Sequence, residues 1–149
     1  MCKTKINSGF TLIELMLVIV MTGILAAIAI PGYQAAILKT RRTDAKTALL
    51  SLQQAQEKYR SNCAQYATSL NPGQSVCQPD SDYQLNAPTL SPSGYYLLSI
   101  TAADAGGYTL TATHTGAQMQ DSGCKTLSIT KDGVKTSTDS QDQSSSDCW

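Results

Sequence analysis

Two kinds of apolar pattern follow one another in the first sixty residues. From Phe10 to Ile30 only Thr11, Glu14 and Thr22 interrupt a ribbon of Leu, Ile, Val, Met, Ala and Gly, which Pro31-Gly32 closes. Roughly 21 residues at about 1.5 Å each give about 31 Å, enough to cross a bilayer core. Further on, Ala45, Ala48, Leu49, Leu52, Ala55 and Tyr59 keep the i, i+3, i+4, i+7 spacing of a single stripe. Lys46, Gln53, Gln54, Glu57, Lys58 and Arg60 fill the positions between. The pattern predicts one long helix from about Phe10 to about Ser61, apolar all round in its first half and amphipathic in its second. Pro31 lacks an N–H and crowds the preceding turn, so a kink or local melting is expected there. Gly23 weakens the same half by about 1 kcal/mol relative to Ala.

The period then changes. Asn62 to Ser93 is rich in Ser, Asn, Gln and Pro, with Asn71-Pro72-Gly73 and Ser91-Pro92-Ser93-Gly94 as turn signals. Strands are expected from Gly94 to Thr101, from Tyr108 to Thr113, from Lys125 to Lys131 and from Val134 to Thr136. In the second of these Tyr108, Leu110 and Ala112 share one face and the threonines the other. Asp132-Gly133 supplies a hairpin turn between the last two. One apolar sheet face then meets the one apolar stripe of the helix, which makes an α+β domain: a long N-terminal helix packed on a four-stranded antiparallel sheet. The tail from Ser137 to Ser146 has no apolar residue and would not order by itself.

Cysteine usage changes the picture of that tail. Of the five cysteines, Cys2 precedes the apolar run and Cys63, Cys77, Cys124 and Cys148 follow it. No CxxC pair or His spacing suits zinc, so two disulfides and an oxidising compartment are the reading. Four cysteines allow three pairings, and proximity along the chain favours Cys63–Cys77 with Cys124–Cys148. The first would pin the loop, closing a 15-residue ring that stabilises by about 3 kcal/mol in the chain-entropy model. The second would close the C-terminal tail into a surface loop. Charge is less informative. The chain carries 11 Lys+Arg and 11 Asp+Glu, a balance that does not advertise nucleic-acid binding. Lys3 and Lys5 flank the apolar run on one side, and Lys39, Arg41 and Arg42 on the other. Positive charges therefore choose no membrane topology, and the cysteines place the part after Pro31 outside the cytoplasm.

Glu14 is the chemical anomaly. At the centre of a membrane helix an acid costs roughly 2.5–3.5 kcal/mol, less near an end, and still requires a partner. Cleavage between Gly9 and Phe10 would create one, because the new Phe10 ammonium lies one helical turn from Glu14 on the same face. With a pKa of about 7.7–8 that amine stays largely charged at neutral pH. A rival reading takes Ala27-Ile28-Ala29 as the end of a secretory signal peptide. Such signals have shorter apolar regions and lack an acid.

Gly9-Phe10-Thr11-Leu12-Ile13-Glu14 heading an apolar run with Gly23 and Pro31 resembles the prepilin signature of type IV pilins and type II secretion pseudopilins. The resemblance implies cleavage after Gly9 by a prepilin peptidase and N-methylation of Phe10. It also implies assembly of the apolar helices into a filament core, with Glu14 meeting the Phe10 amine of a neighbour and the segment from Gly23 to Pro31 losing helical structure. Tyr108 to Thr113, Cys124 to Ile129, Gly133 and Asp147-Cys148-Trp149 look like the C-terminal half of PilE-type minor pilins. The loop from Cys63 to Ser93 departs from that pattern. The implied fold is the pilin fold, with residues 1–9 as leader, 10–32 as the membrane-spanning and filament-core half of the helix, and 33–149 as a periplasmic or extracellular head. Implied partners are other pilin subunits, the inner-membrane assembly machinery and the bilayer before assembly. The implied role is structural, a subunit of a type IV pilus in a Gram-negative bacterium that supports assembly, twitching motility, adhesion or DNA uptake. Alternatives within the resemblance are a major pilin, a pseudopilin and a DNA-binding competence pilin.

The remaining candidates carry less. Lys125, Lys131 and Lys135 in the last hairpin would form the patch of a DNA-binding pilin, or merely a charged sheet edge. His114, the single histidine, has no Ser or Cys nucleophile at a recognisable spacing. Asp80, Asp82 and Asp104 lack EF-hand spacing and read as solvated turn acids. No cofactor motif, metal cluster or nucleophile–base pair points to an enzyme.

Overall fold

The computed structural model describes residues 10–78 and 83–149. Gly9, Cys2, Asp80 and Asp82 therefore lie outside the described residues. One helix, α1, runs Leu12–Arg60. The chain divides into two compact units, one ending at Ile37 and the other comprising Leu38–Trp149.

In the first unit α1 buries nothing: every residue from Leu12 to Ala36 is exposed. The helix continues through Gly23 and Pro31 without local melting. Pro31 forfeits a single bond to the carbonyl four residues earlier, and one lost bond within a helix 49 residues long does not outweigh cooperative propagation. Thr22 turns its hydroxyl back onto the Val18 and Ile19 carbonyls, at 2.9 and 3.0 Å, and so hides its polar group inside the apolar run.

In the second unit α1 buries Ala45, Ala48, Leu49, Leu52, Gln56 and Tyr59. Against this stripe lies a four-stranded antiparallel sheet of β3 (Tyr96–Ala103), β4 (Tyr108–His114), β5 (Thr126–Thr130) and β6 (Lys135–Thr138), in that spatial order. Register brings Leu98 opposite Ala112, Ala112 opposite Leu127, and Leu110 opposite Ile129, all buried. On the other face Ser99, Thr111, Ser128 and Thr136 line up across the strands. The alternation of apolar and hydroxyl residues thus does what period 2 requires.

Strand limits shift slightly from the expected ones. Gly94 sits at φ +73° in a turn closed by its N–H on the Ser91 carbonyl, so β3 begins at Tyr96 rather than Gly94. Gly133 takes φ +80°, and Val134 completes that turn by donating to Thr130 Oγ1, so β6 begins at Lys135. The loop after α1 holds a feature with no sequence signal, a two-residue parallel pair β1 (Ser69–Leu70) and β2 (Gln84–Leu85). A 3-10 turn, Gly116–Gln120, joins β4 to β5.

Both edges of the main sheet are covered. Leu90 bridges to Leu97 on β3, and Ser144 of the tail bridges to Thr138 on β6. Disulfides join Cys63 to Cys77 and Cys124 to Cys148, each with Cα atoms 5.7 Å apart. The second pulls the tail back against the start of β5.

Candidate functional site

At the helix start the side chains that the sequence singles out are close together. Phe10 is exposed, and Thr11 and Glu14 form a reciprocal cap: the Glu14 N–H donates to Thr11 Oγ1 at 3.3 Å, and the Thr11 N–H donates to Glu14 Oε2 at 3.5 Å. Thr-x-x-Glu is a capping box, a local role for Glu14 that the sequence reading overlooked although the spacing was there. The acid also favours the positive end of the helix dipole. Among the described residues Glu14 has no cationic partner. Leu12, Ile13, Leu15, Met16, Leu17, Val18 and Ile19 around it are each more than half exposed.

The head has its own polar centre, built by residues that pattern did not reveal. Arg42 lies on α1 one turn before the buried stripe. Its Nε and Nη2 bond Asp121 Oδ2 and Oδ1, both at 2.8 Å, and its Nη1 donates to the Asp147 carbonyl at 3.0 Å. Asp121 is 4% exposed, and the fork geometry holds both carboxylate oxygens. That bond raises the Arg42 pKa, against a lowering by burial. Gln118, fully buried on the 3-10 turn, donates to the Leu38 carbonyl at 3.1 Å and to Asp121 Oδ2 at 2.9 Å. Tyr96 is also fully enclosed here, and burial pushes its phenol up to about 12.

Beside this centre a cleft of about 580 Å³ opens between α1 and the tail, lined by Lys39, Arg42 and Lys46 on one side and Ser145 to Trp149 on the other. Trp149 Nε1 donates to the Thr136 carbonyl at 2.8 Å, and Lys135 Nζ stands 5.0 Å above the indole ring. Burial first, then the charges of Arg42, Lys135 and Lys39, hold the Lys46 ammonium below the usual lysine range. Among the described residues Lys39, Lys46 and Lys135 form no ion pair.

The three hairpin lysines have different neighbours. Lys125 is paired with Asp142 at 2.8 Å, and Lys131 donates to the Gly106 carbonyl and faces the Tyr66 ring. Lys135 stands over the ring of Trp149, which lines the cleft. Asp104 accepts the Gly106 and Gly107 N–H groups at 2.7 and 2.8 Å, which lower its pKa, so it is a turn acid. His114 ends β4. Among the described residues no group of His, Cys, Asp and Glu could hold a metal. At the far end of α1, Glu57 accepts the Tyr108 hydroxyl at 3.0 Å and the Tyr66 hydroxyl at 3.1 Å, tying helix, loop and sheet together. Burial, then that bond, raises the Tyr108 phenol pKa.

Comparison with known proteins follows the same division. Residues 4–30 match the prokaryotic N-terminal methylation motif, and residues 31–128 match the family model described as type IV minor pilin ComP, DNA uptake sequence receptor. The chain is 45% identical over 65 residues to the type IV major pilin protein PilA of Myxococcus xanthus (strain DK1622), covering 44% of this chain and 30% of that one. It is 51% identical over 53 residues to a fimbrial protein of Pseudomonas aeruginosa, covering 36% and 34%. It is 66% identical over 37 residues to fimbrial protein Q of Moraxella bovis, covering 25% and 24%. The chain thus spans about a third or less of the length of these curated relatives. With a methylation motif leading into a long exposed apolar helix, a helix-on-sheet head closed by a C-terminal disulfide, and the family model over most of that head, the chain is a type IV pilin and belongs to the ComP family.

Proposed function

We propose that this pilin is a structural subunit, a minor pilin of the PilE type, that waits in the inner membrane of a Gram-negative cell and is then built into an extracellular pilus. A prepilin peptidase cuts after Gly9, Phe10 becomes the methylated terminus, and the assembly machinery packs the apolar half of α1 against other subunits. The observation that carries this reading is the helix start. Among the described residues Glu14 is bonded only to Thr11, and it lies amid apolar side chains each more than half exposed, in a segment with no charge besides its own between Phe10 and Tyr33. Such a surface is stable only in lipid or against copies of itself. In either setting an unpaired carboxylate costs several kcal/mol, and a neighbour's Phe10 ammonium removes that cost. Gly23 and Pro31 supply the weak point where the helix yields on assembly.

The test is incorporation. Glu14→Ala is expected to leave precursor levels in the membrane unchanged and to lower the amount recovered in sheared pili. Recovery at the wild-type level would sink the register role of Glu14. Mass spectrometry of the pilus-borne chain should find methylated Phe10 first, and a chain beginning at Ile30 would overturn the assembly reading altogether.

A second reading, capture of DNA by the head, is supported by the description of the family model that matches residues 31–128. Phosphate contacts weaken steeply with salt. Retention of the full chain on immobilised duplex DNA should therefore fall as salt rises, and salt-independent retention would count against it.

A further inference from the structure

The cations that follow the apolar run stand on the side of the membrane where charge bias does not call for them. Lys39 comes directly after Ile37 and Leu38, and Arg41, Arg42 and Lys46 follow within two turns. Arg42 is committed to Asp121. Among the described residues Lys39 and Lys46 form no ion pair, and β6 places Lys135 over the ring of Trp149, which lines the cleft. The opposing wall carries Trp149, which is partly exposed, anchored through its N–H and apolar over the rest of its ring. Asp147 is the acidic side chain lining the cleft, and its carbonyl is held by Arg42.

We propose that this cleft is a docking site for the anionic phosphodiester headgroups of the membrane in which the subunit is stored, and that it holds the head down on the bilayer until the subunit is extracted. The inference rests on the membrane-anchored reading. Lys39 lies seven helical residues, about 10 Å at 1.5 Å each, beyond the span that ends at residue 32, which is about a Debye length from the lipid surface, where a lysine is attracted to anionic headgroups. Indole rings concentrate at the same depth because they are apolar in body and polar at one edge. A cleft lined by Lys39 and Lys46, with Lys135 over the Trp149 ring, is also a poor partner for a neutral surface, and an entering anion relieves the repulsion that, after burial, lowers the Lys46 pKa.

Trp149 is the single tryptophan of the chain, so its fluorescence reports on this site alone. The full chain is reconstituted in vesicles of phosphatidylcholine, with or without phosphatidylglycerol, each containing lipid brominated near the headgroup. Quenching of Trp149 should be stronger with phosphatidylglycerol and should fade as salt rises. The odds of the docked state should fall about five-fold for each lysine removed in Lys39→Gln, Lys46→Gln and Lys135→Gln. The double variant K39Q/K46Q keeps the Lys135–Trp149 stack, and unchanged quenching in it overturns the proposal. So does equal quenching in both lipid mixtures while the chain stays in the vesicle pellet. A chain that does not partition into vesicles at all overturns the membrane-anchored reading instead. If duplex DNA, added to neutral vesicles, binds through these same lysines while phosphatidylglycerol changes nothing, the cleft belongs to nucleic acid and the lipid assignment is wrong.

Discussion

Single residues decide how firmly the head is closed. Arg42 and Asp121 form a fork-to-fork pair with the carboxylate almost fully enclosed. Removing one partner leaves the other's charge stranded, so Asp121→Asn should destabilise by about 3–5 kcal/mol, read as a lower urea midpoint. The double replacement Arg42→Met with Asp121→Leu should recover much of that loss, because it removes both buried charges together. Tyr96 makes a different prediction. Among the described residues its hydroxyl has no partner at good hydrogen-bond geometry, and burial pushes its phenol from 10 up to about 12. A raised folded pKa means that its stabilising share is complete below pH 10 and is lost as pH climbs towards 12. That is a decline of about 2–3 kcal/mol from this group. Tyr96→Phe should therefore be nearly neutral at pH 7 and should flatten the alkaline loss of stability, measured by urea melts between pH 8 and pH 11. The Arg42–Asp121 pair could not be read from the sequence. Arg42 looks like a membrane-flanking charge, and Asp121 lies 79 residues away in a segment without periodicity.

At the level of elements, periodicity revealed most of the head. The helix stripe, the alternation in β4 and β5, and the Asp132-Gly133 turn all follow from spacing, because one face of each element must be dry. Gln56 did not follow. It is fully buried beside the half-buried Ala55, since its amide pairs with both the N–H and the carbonyl of Ala67, at 3.0 and 2.9 Å. A polar residue inside an apolar stripe is legible only once its backbone partner is known. The β1–β2 pair was hidden for the reason that two-residue strands have no period to detect. The loop around them is held by Cys63–Cys77, whose removal in Cys63→Ser with Cys77→Ser should cost about 3 kcal/mol. Thermal melts with and without reductant would check this, and the reduced wild type should match the double variant if Cys124–Cys148 is left intact.

For the whole molecule the decisive contrast is between an apolar helix with nothing buried and a head with its own core. The core residues from Ala45 to Cys148 all belong to the second unit. A chain shortened to Leu38–Trp149 is therefore expected to be monomeric in buffer by gel filtration, whereas the full chain should require detergent. Aggregation of the shortened chain at low micromolar concentration would contradict that division of labour. The prepilin motif made the first unit legible at once, because a lone acid in a lipid-length run is chemically rare. The basic cleft was not legible, since it assembles residues from three distant parts of the chain.

Ser144, lying along Thr138, deserves one last consideration. By occupying the outer flank of β6 the tail denies a second sheet a place to zip on, so heads are kept from pairing edge to edge there. Its covalent tether is the Cys124–Cys148 disulfide. Subunits made where thiols stay reduced would keep that flank bare, and their characteristic hazard would be ribbon-like stacking of heads rather than failed folding.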